Sequence, residues 1–215
     1  MMRILDYPGF PNPLRVRIAL AEKGLSNKVE FVTIDLPAAE HKQPPFLAIN
    51  PEGTVPVLQL DDGTYISECT AIIEYLDNLD GKPSLTGVTP KEKAVIHMMQ
   101  KRAERELLYA VGIYFHYGTP GAGPAVEAYK LPQWEGRTQW GAFERERAVA
   151  GMHYFDRVLS NQPYVAGDQF SMPDITLFAG LYFAAFAKID IPEECQSLKA
   201  WHAKVSERPS VKNPA

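Results

Sequence analysis

Cysteine is scarce in this chain, with two in 215 residues, Cys69 and Cys195. They form no CxxC pair and no zinc-ligand spacing, so a dithiol redox centre and a structural zinc site are both excluded. Free cysteines fit a reducing compartment, and the expected setting is the cytoplasm. Long apolar runs are missing as well. No stretch approaches the ~18 apolar residues of a membrane span, so no membrane partner is expected. The N-terminal stretch Met1-Met2-Arg3-Ile4-Leu5-Asp6-Tyr7 has an acid within it and no apolar signal core, and it reads as a first strand. Charge of one sign is lacking too. Lys plus Arg number 22 against 26 Asp plus Glu, a net −4, whereas a phosphate binder needs a basic surface. Nucleic acid is therefore not an expected partner. Internal repeats and low-complexity tracts are absent. What remains is 46% hydrophobic and 22% charged, an ordinary globular composition, long enough for one large domain or two modest ones.

The first part of the chain alternates strand and helix signals. Residues 3–7 form a short apolar strand. Asn12-Pro13 then opens a helix over Leu14–Glu22, with Asn12 as its N-cap and Gly24 as its stop. Val29–Ile34 alternates like a strand. A polar loop carrying His41-Lys42 precedes a short helical turn around Phe46–Ala48. Val57–Leu60 and Thr64–Ile66 flank Asp61-Asp62-Gly63, a hairpin signal. Ile72, Ile73, Tyr75 and Leu76 then recur at helical spacing. The order β-α-β-α-β-β-α suits a mixed sheet with helices on both faces, an α/β thioredoxin-like unit over residues 1–80.

Beyond it no convincing strand is found. A Gly/Pro-containing linker covers 81–90, and an all-helical domain covers 91–215. Thr89-Pro90-Lys91-Glu92 is a capping box with Pro at the first helical position. Its helix is expected to run to about Tyr117, where a Gly/Pro loop over 118–124 breaks it, either a lid or plain surface. A second long helix covers roughly 137–160. Ser171 and Asp174 form another capping box, with Phe170 stapled onto Ile175, and open an apolar helix to about Lys188. The last helix runs through Cys195 to Glu207.

Three runs carry a resemblance. They are Asn50-Pro51-x-Gly53-Thr54-Val55-Pro56-Val57-Leu58, then Ser67-Glu68-Cys69-Thr70-Ala71-Ile72, and Pro163 to Ile175. In this order the chain resembles the cytosolic glutathione transferase superfamily along nearly its whole length. Ile96–Met99, Tyr114-Phe115-His116 and Gly151–Asp156 make it most similar to a fungal and bacterial group close to the second yeast glutathione transferase. The resemblance implies a glutathione S-transferase that conjugates glutathione to small, apolar electrophiles. It implies a homodimer, with glutathione as co-substrate and no metal. Rival expectations are glutathione-dependent disulfide or peroxide reduction, and a binding module without activity.

The same resemblance assigns the site. A cis Val55–Pro56 bond would turn the Val55 backbone outward, to pair with glutathione like an added strand. Glu68, Cys69 and Thr70 stand where a strand meets a helix N-terminus, a place that holds carboxylates. Glu68 would meet the ligand's ammonium group. His41 and Lys42 would meet its glycine carboxylate. Arg15 and Arg17 are expected mainly to pair with acids inside the fold, and His97 and His153 to be structural.

Activation of the sulfur is less plain. A thiol must become a thiolate to attack, and hydrogen bonds or positive potential favour that form. The loop Pro8 to Pro13 has no hydroxyl and no thiol. Three candidates remain: Asn12 at the start of the first helix, His116 through a held water, and Tyr7 at the end of the first strand. The electrophile is expected between Phe10, Pro11 and a wall of Tyr109, Ile113, Tyr114 and Tyr117.

Overall fold

The computed structural model describes residues 1–123, 126 and 136–215. Strand β1 (Met2–Asp6) lies inside a four-stranded sheet of order β2-β1-β3-β4. It runs parallel to β2 (Val29–Thr33) and antiparallel to β3 (Val57–Gln59), and β4 (Tyr65–Ile66) pairs antiparallel with β3. A parallel pair needs a crossover, and α1 (Pro11–Glu22) supplies it. The period of two sends alternate side chains to opposite faces. Ile4 and Leu58 pack with Val16, Leu20, Ile72 and Leu76 under α1 and α3 (Cys69–Asn78). Leu5 and Val57 pack on the other face with Ile34 and Val55, and with Phe46 from α2 (Pro44–Leu47). Each such fully buried side chain contributes about 2 kcal/mol.

The helical part is built on one long rod. It begins at α4 (Pro90–Ala103), where the Thr89 hydroxyl and the Glu92 carboxylate cap each other's backbone as expected. It then runs through a π turn (Glu104–Leu108), α5 (Tyr109–Ile113) and a second π turn (Tyr114–Gly118). Helix α6 (Arg137–Leu159) lies along the rod and meets it most closely at the two π turns. A Cβ at Gly151 would stand 2.0 Å from the Glu106 carbonyl oxygen, and one at Gly141 would stand 2.5 Å from the Gly118 nitrogen. Glycine at both positions is what lets the backbones touch.

Helix α7 (Met172–Phe186) is buried along most of its length and is apolar on all sides. Such a helix belongs in the middle of a bundle. Its capping box forms as expected, and Phe170 and Ile175 both join the helical core. The Asp174 carboxylate also accepts from the Val165 amide (2.9 Å) and from Trp201 Nε1 (3.1 Å). Trp201 comes from α8 (Gln196–Ser206), and the short α9 (Pro209–Lys212) follows the break at Arg208-Pro209.

The two halves are joined through α1, which packs on α3 and on α7. Ile18, Ala19, Ile73 and Leu85 are buried in the same cluster as the helical core. The segment after α3 is pinned rather than loose. Asp77, fully buried, accepts from the amides of Ser84, Leu85 and Thr86 and from the Thr86 hydroxyl. Arg17 grips Asp6 with two bonds (2.7 and 3.0 Å), one of the internal acid pairs expected for it and Arg15. His97 pairs with Glu74, and His153 sits between Cys195 and Glu194, contacts that suit structural roles.

Candidate active site

Two helices start at one cleft, and neither caps itself. Phe10 is extended and Pro11 takes the first helical position, so the N-cap of α1 lies two residues before the expected one. Asn12 is therefore not the N-cap. Proline's fixed φ suits that first position, and Asn12 turns its side chain to Arg15 instead. Helix α3 begins after Glu68, whose φ of 70° is rare for a side-chain-bearing residue and whose carboxylate makes no capping bond. An uncapped start leaves amides unpaired and carries partial positive charge, which suits anions. At α1, Pro11 and Pro13 have no N–H, so the amide that start offers is that of Asn12.

The Val55–Pro56 bond is cis, as expected. Among the described residues, the Val55 amide and carbonyl have no hydrogen-bond partner. They open onto a cleft of about 530 Å³. Its polar side is Asn12, His41, Lys42, Gly53, Thr54 and Val55; its apolar side is Phe10, Phe115, Phe183 and Phe186, with His116 beside them. A narrow pocket of about 40 Å³ continues the polar side, lined by Arg15, Pro56, Glu68, Cys69 and Tyr109. A side chamber of about 420 Å³ lies along Tyr109, Gly112, Ile113 and Tyr117. Pro11, Asn12, His116 and Phe183 line both the cleft and the chamber.

The chemistry of each wall follows from its surroundings. His41 is buried, and burial and the Lys42 charge hold its pKa below the usual value, so the ring is neutral at pH 7. Its Nδ1 is buried and, among the described residues, has no hydrogen-bond partner. Lys42 donates to the carbonyls of Gly53 (2.7 Å) and Glu52 (3.3 Å). Burial pushes the Tyr109 phenol up to about 12, with the Glu104 charge acting the same way, so it stays protonated.

Several expected contacts are turned elsewhere. The Cys69 thiol donates inward to the Asn12 carbonyl (3.4 Å), and burial pushes it up to about 11. What Cys69 offers the cleft is its backbone. The Thr70 hydroxyl donates to Glu104 (2.9 Å) and accepts from Gln100 (3.1 Å), so it too is used inside the fold. Tyr7 packs edge-on against Phe10 (5.5 Å) within the core on that face of the sheet. Tyr114 packs on the helical core, while Tyr109, Ile113 and Tyr117 face the side chamber.

The residues that sequence reasoning missed are Phe115, Phe183, Phe186 and Glu104. The wall was expected at α-helical spacing, but the second π turn shifts the register and brings Phe115 and His116 to the cleft. Phe183 and Phe186 lie on an apolar helix where nothing separates a pocket residue from a core one. Of the loop over 118–124, Gly121 and Ala122 line the cleft, and residue 124 lies outside the described residues. Among the described residues, no group of three or more His, Cys, Asp or Glu could hold a metal, and no helix is long and apolar enough to cross a membrane.

A thioredoxin-like sheet with an open cis-proline edge, faced by an all-helical wall, defines the glutathione transferase fold. Residues 11–79 match the glutathione S-transferase N-terminal domain and residues 125–213 the C-terminal domain. The chain is 60% identical to glutathione S-transferase 2 of Saccharomyces cerevisiae, over 98% of this chain and 88% of that one. The crystal structure of Gtt2 from the same yeast matches with a TM-score of 0.93 at 60% identity, covering 98% of each chain. A glutathione S-transferase domain-containing protein of Marinobacter aquaeolei VT8 matches with a TM-score of 0.92 at 52% identity, covering 97% of this chain and 99% of that one. The chain belongs to the glutathione S-transferase family, and the resemblance read from its motifs holds along its length.

Proposed function

We propose that the protein transfers glutathione, through its sulfur, to small and largely apolar electrophiles. The observation that carries this is the meeting of an unpaired Val55 backbone and two uncapped helix starts at one cleft with an aromatic far wall. The cysteinyl backbone of glutathione adds to the Val55 edge like one more strand. The γ-glutamyl carboxylate meets the amides at the start of α3, and Glu68 pairs with the ammonium group. The strained backbone of Glu68 fits such a role, since strain of this kind collects at ligand clamps. The glycine carboxylate lies by His41 and Lys42, which line the polar side of the cleft.

This pose puts the sulfur beside Asn12 and His116. The Asn12 amide and the positive end of α1 favour the thiolate, and His116 holds a water against it. The thiolate attacks an electrophilic carbon, a carbon–sulfur bond forms, and the leaving group takes the displaced electron pair. Phe10, Pro11, Phe115, Phe183 and Phe186 give the electrophile an apolar face. Residues 1–80 act as the glutathione-binding unit and 91–215 as the electrophile-binding unit, joined by 81–90. The same proposal includes a cytoplasmic homodimer. Two buried free cysteines support the compartment.

A pH titration of the thiolate ultraviolet absorbance of bound glutathione tests this, for the native protein, Asn12→Ala and His116→Ala. Ionisation about two units below free glutathione is expected, with the shift reduced in a variant that removes an activator. A bound thiol that titrates as it does in water would overturn the proposal.

A further inference from the structure

A chain of buried polar groups runs from the helical part to Asn12. Thr176 on α7 donates to Gln100 Oε1 (2.9 Å). Gln100 Nε2, the Thr70 hydroxyl and Arg15 Nη2 all donate to Glu104 Oε1, at 3.0, 2.9 and 2.9 Å. Arg15 Nη1 then donates to Asn12 Oδ1 (3.1 Å). Arg15 is 2% exposed and Glu104 7%. Burial pushes the Glu104 carboxyl up, but the Arg15 charge and the bonds it accepts outweigh that and hold it below the usual carboxylate range. Apolar side chains often stabilise a fold as well as a buried ion pair does, so the pair calls for a role beyond stability.

The donor inventory fixes the geometry. A guanidinium has N–H donors and no acceptor, so only the carbonyl oxygen of Asn12 can meet Arg15. The NH2 group of the same carboxamide must then point away from Arg15, and Asn12 lines the cleft. A flipped carboxamide would aim an oxygen at the thiolate and repel it. Arg15 itself cannot swing freely, because its fork is fastened to Glu104 at the first residue of the π turn. Its Nε is buried and, among the described residues, has no partner, while Arg15 lines the narrow pocket.

We propose that Arg15 is a positioning residue: held by Glu104, it keeps the Asn12 carboxamide turned with its NH2 group toward the glutathione sulfur. Activation of the thiol thereby depends on how α1 seats against the rod and α7. This rests on the proposal above that Asn12 contacts the sulfur. The other charged or titratable groups around the site are Glu68 and Cys69 at the start of α3, Lys101, Tyr109 and His116 on the rod, and His41 and Lys42 across the cleft.

The test compares the bound-glutathione thiol pKa in the native protein, Asn12→Ala, Arg15→Lys and the double variant, with circular dichroism to check folding. Lysine keeps the charge but lacks the planar fork that reaches two partners. Arg15→Lys and Asn12→Ala should each raise the bound thiol by about one unit, tenfold less thiolate at a given lower pH, and the double variant should raise it no further. An unchanged thiol in Arg15→Lys alone, or effects that add in the double variant, would overturn the positioning role and leave Asn12 as activator. An unchanged thiol in Asn12→Ala overturns both. Glu104→Gln serves if Arg15→Lys does not fold. Loosening the fork raises the thiol pKa, whereas simple loss of a nearby negative charge lowers it. A fall in Glu104→Gln overturns the proposal.

Discussion

Helices α4 and α7 begin very differently from α1 and α3. The first two close their own starts with a hydroxyl and a carboxylate, Thr89 with Glu92 and Ser171 with Asp174. The second two have no side-chain cap, and both open onto one cleft. A capped start has spent its amides on the fold. The start of α3 keeps them, with their partial charge, for something else, and the start of α1, where Pro11 and Pro13 lack an N–H, keeps that of Asn12. Helices α6 and α8 also start without a side-chain cap, so what marks α1 and α3 is an open start placed at the cleft. That contrast can be broken from either side.

The largest effect is expected at the buried cap. Asp174→Ala strands the Val165 and Ser171 amides and Trp201 Nε1 without an acceptor. A loss of about 3 kcal/mol or more follows, seen as a lower urea midpoint, before any effect specific to glutathione. Glu68→Ala is the counterpart at an open start. It should weaken glutathione binding by about 2 kcal/mol, roughly 30-fold by calorimetry, with little change in Tm. Glu68→Gly sharpens this further. Glycine accepts φ of 70° without strain, so stability should rise by about 1 kcal/mol while glutathione affinity still falls. A loss of stability in Glu68→Gly would mean that this start is scaffold after all. Thr89→Ala removes an exposed cap and should cost about 1 kcal/mol in urea titration with kcat/KM unchanged.

Acid probes both regions through Asp77 and Glu104. Burial raises each, but the amides and hydroxyl around Asp77, and Arg15 beside Glu104, bring both below their usual values. The unfolded chain then binds more protons in acid than the fold does. Their contribution is complete above the usual values, 3.8 for Asp and 4.5 for Glu, and is lost as pH falls through the folded values. Asp77→Asn should flatten that limb in a stability-against-pH series.

Sequence patterns found most of the frame. The capping boxes at Thr89 and Ser171, the hairpin at Asp61-Asp62-Gly63 and the cis Val55–Pro56 edge all stand where the residues placed them. The start of α1 moved because two prolines, Pro11 and Pro13, compete for the first turn, and a side-chain cap at Asn12 is only one solution. The aromatic wall was legible in part: Tyr109, Ile113 and Tyr117 line the side chamber with Pro11, while Phe115 of the cleft was missed. Spacing rules assume a constant helical period, and the π turn over Tyr114–Gly118 changes it.

The sequence alone therefore determined the order of elements, the family and the edge at Val55, because these depend on local backbone preferences and short-range caps. Tertiary structure alone decided which side chains meet. Cys69 and Thr70 look like ligand contacts in one dimension, yet Asn12, Gln100 and Glu104 take up their polar atoms. Arg15 reaches Glu104 across 89 residues. A buried charge must find its partner wherever packing brings one, and packing distance does not follow chain distance.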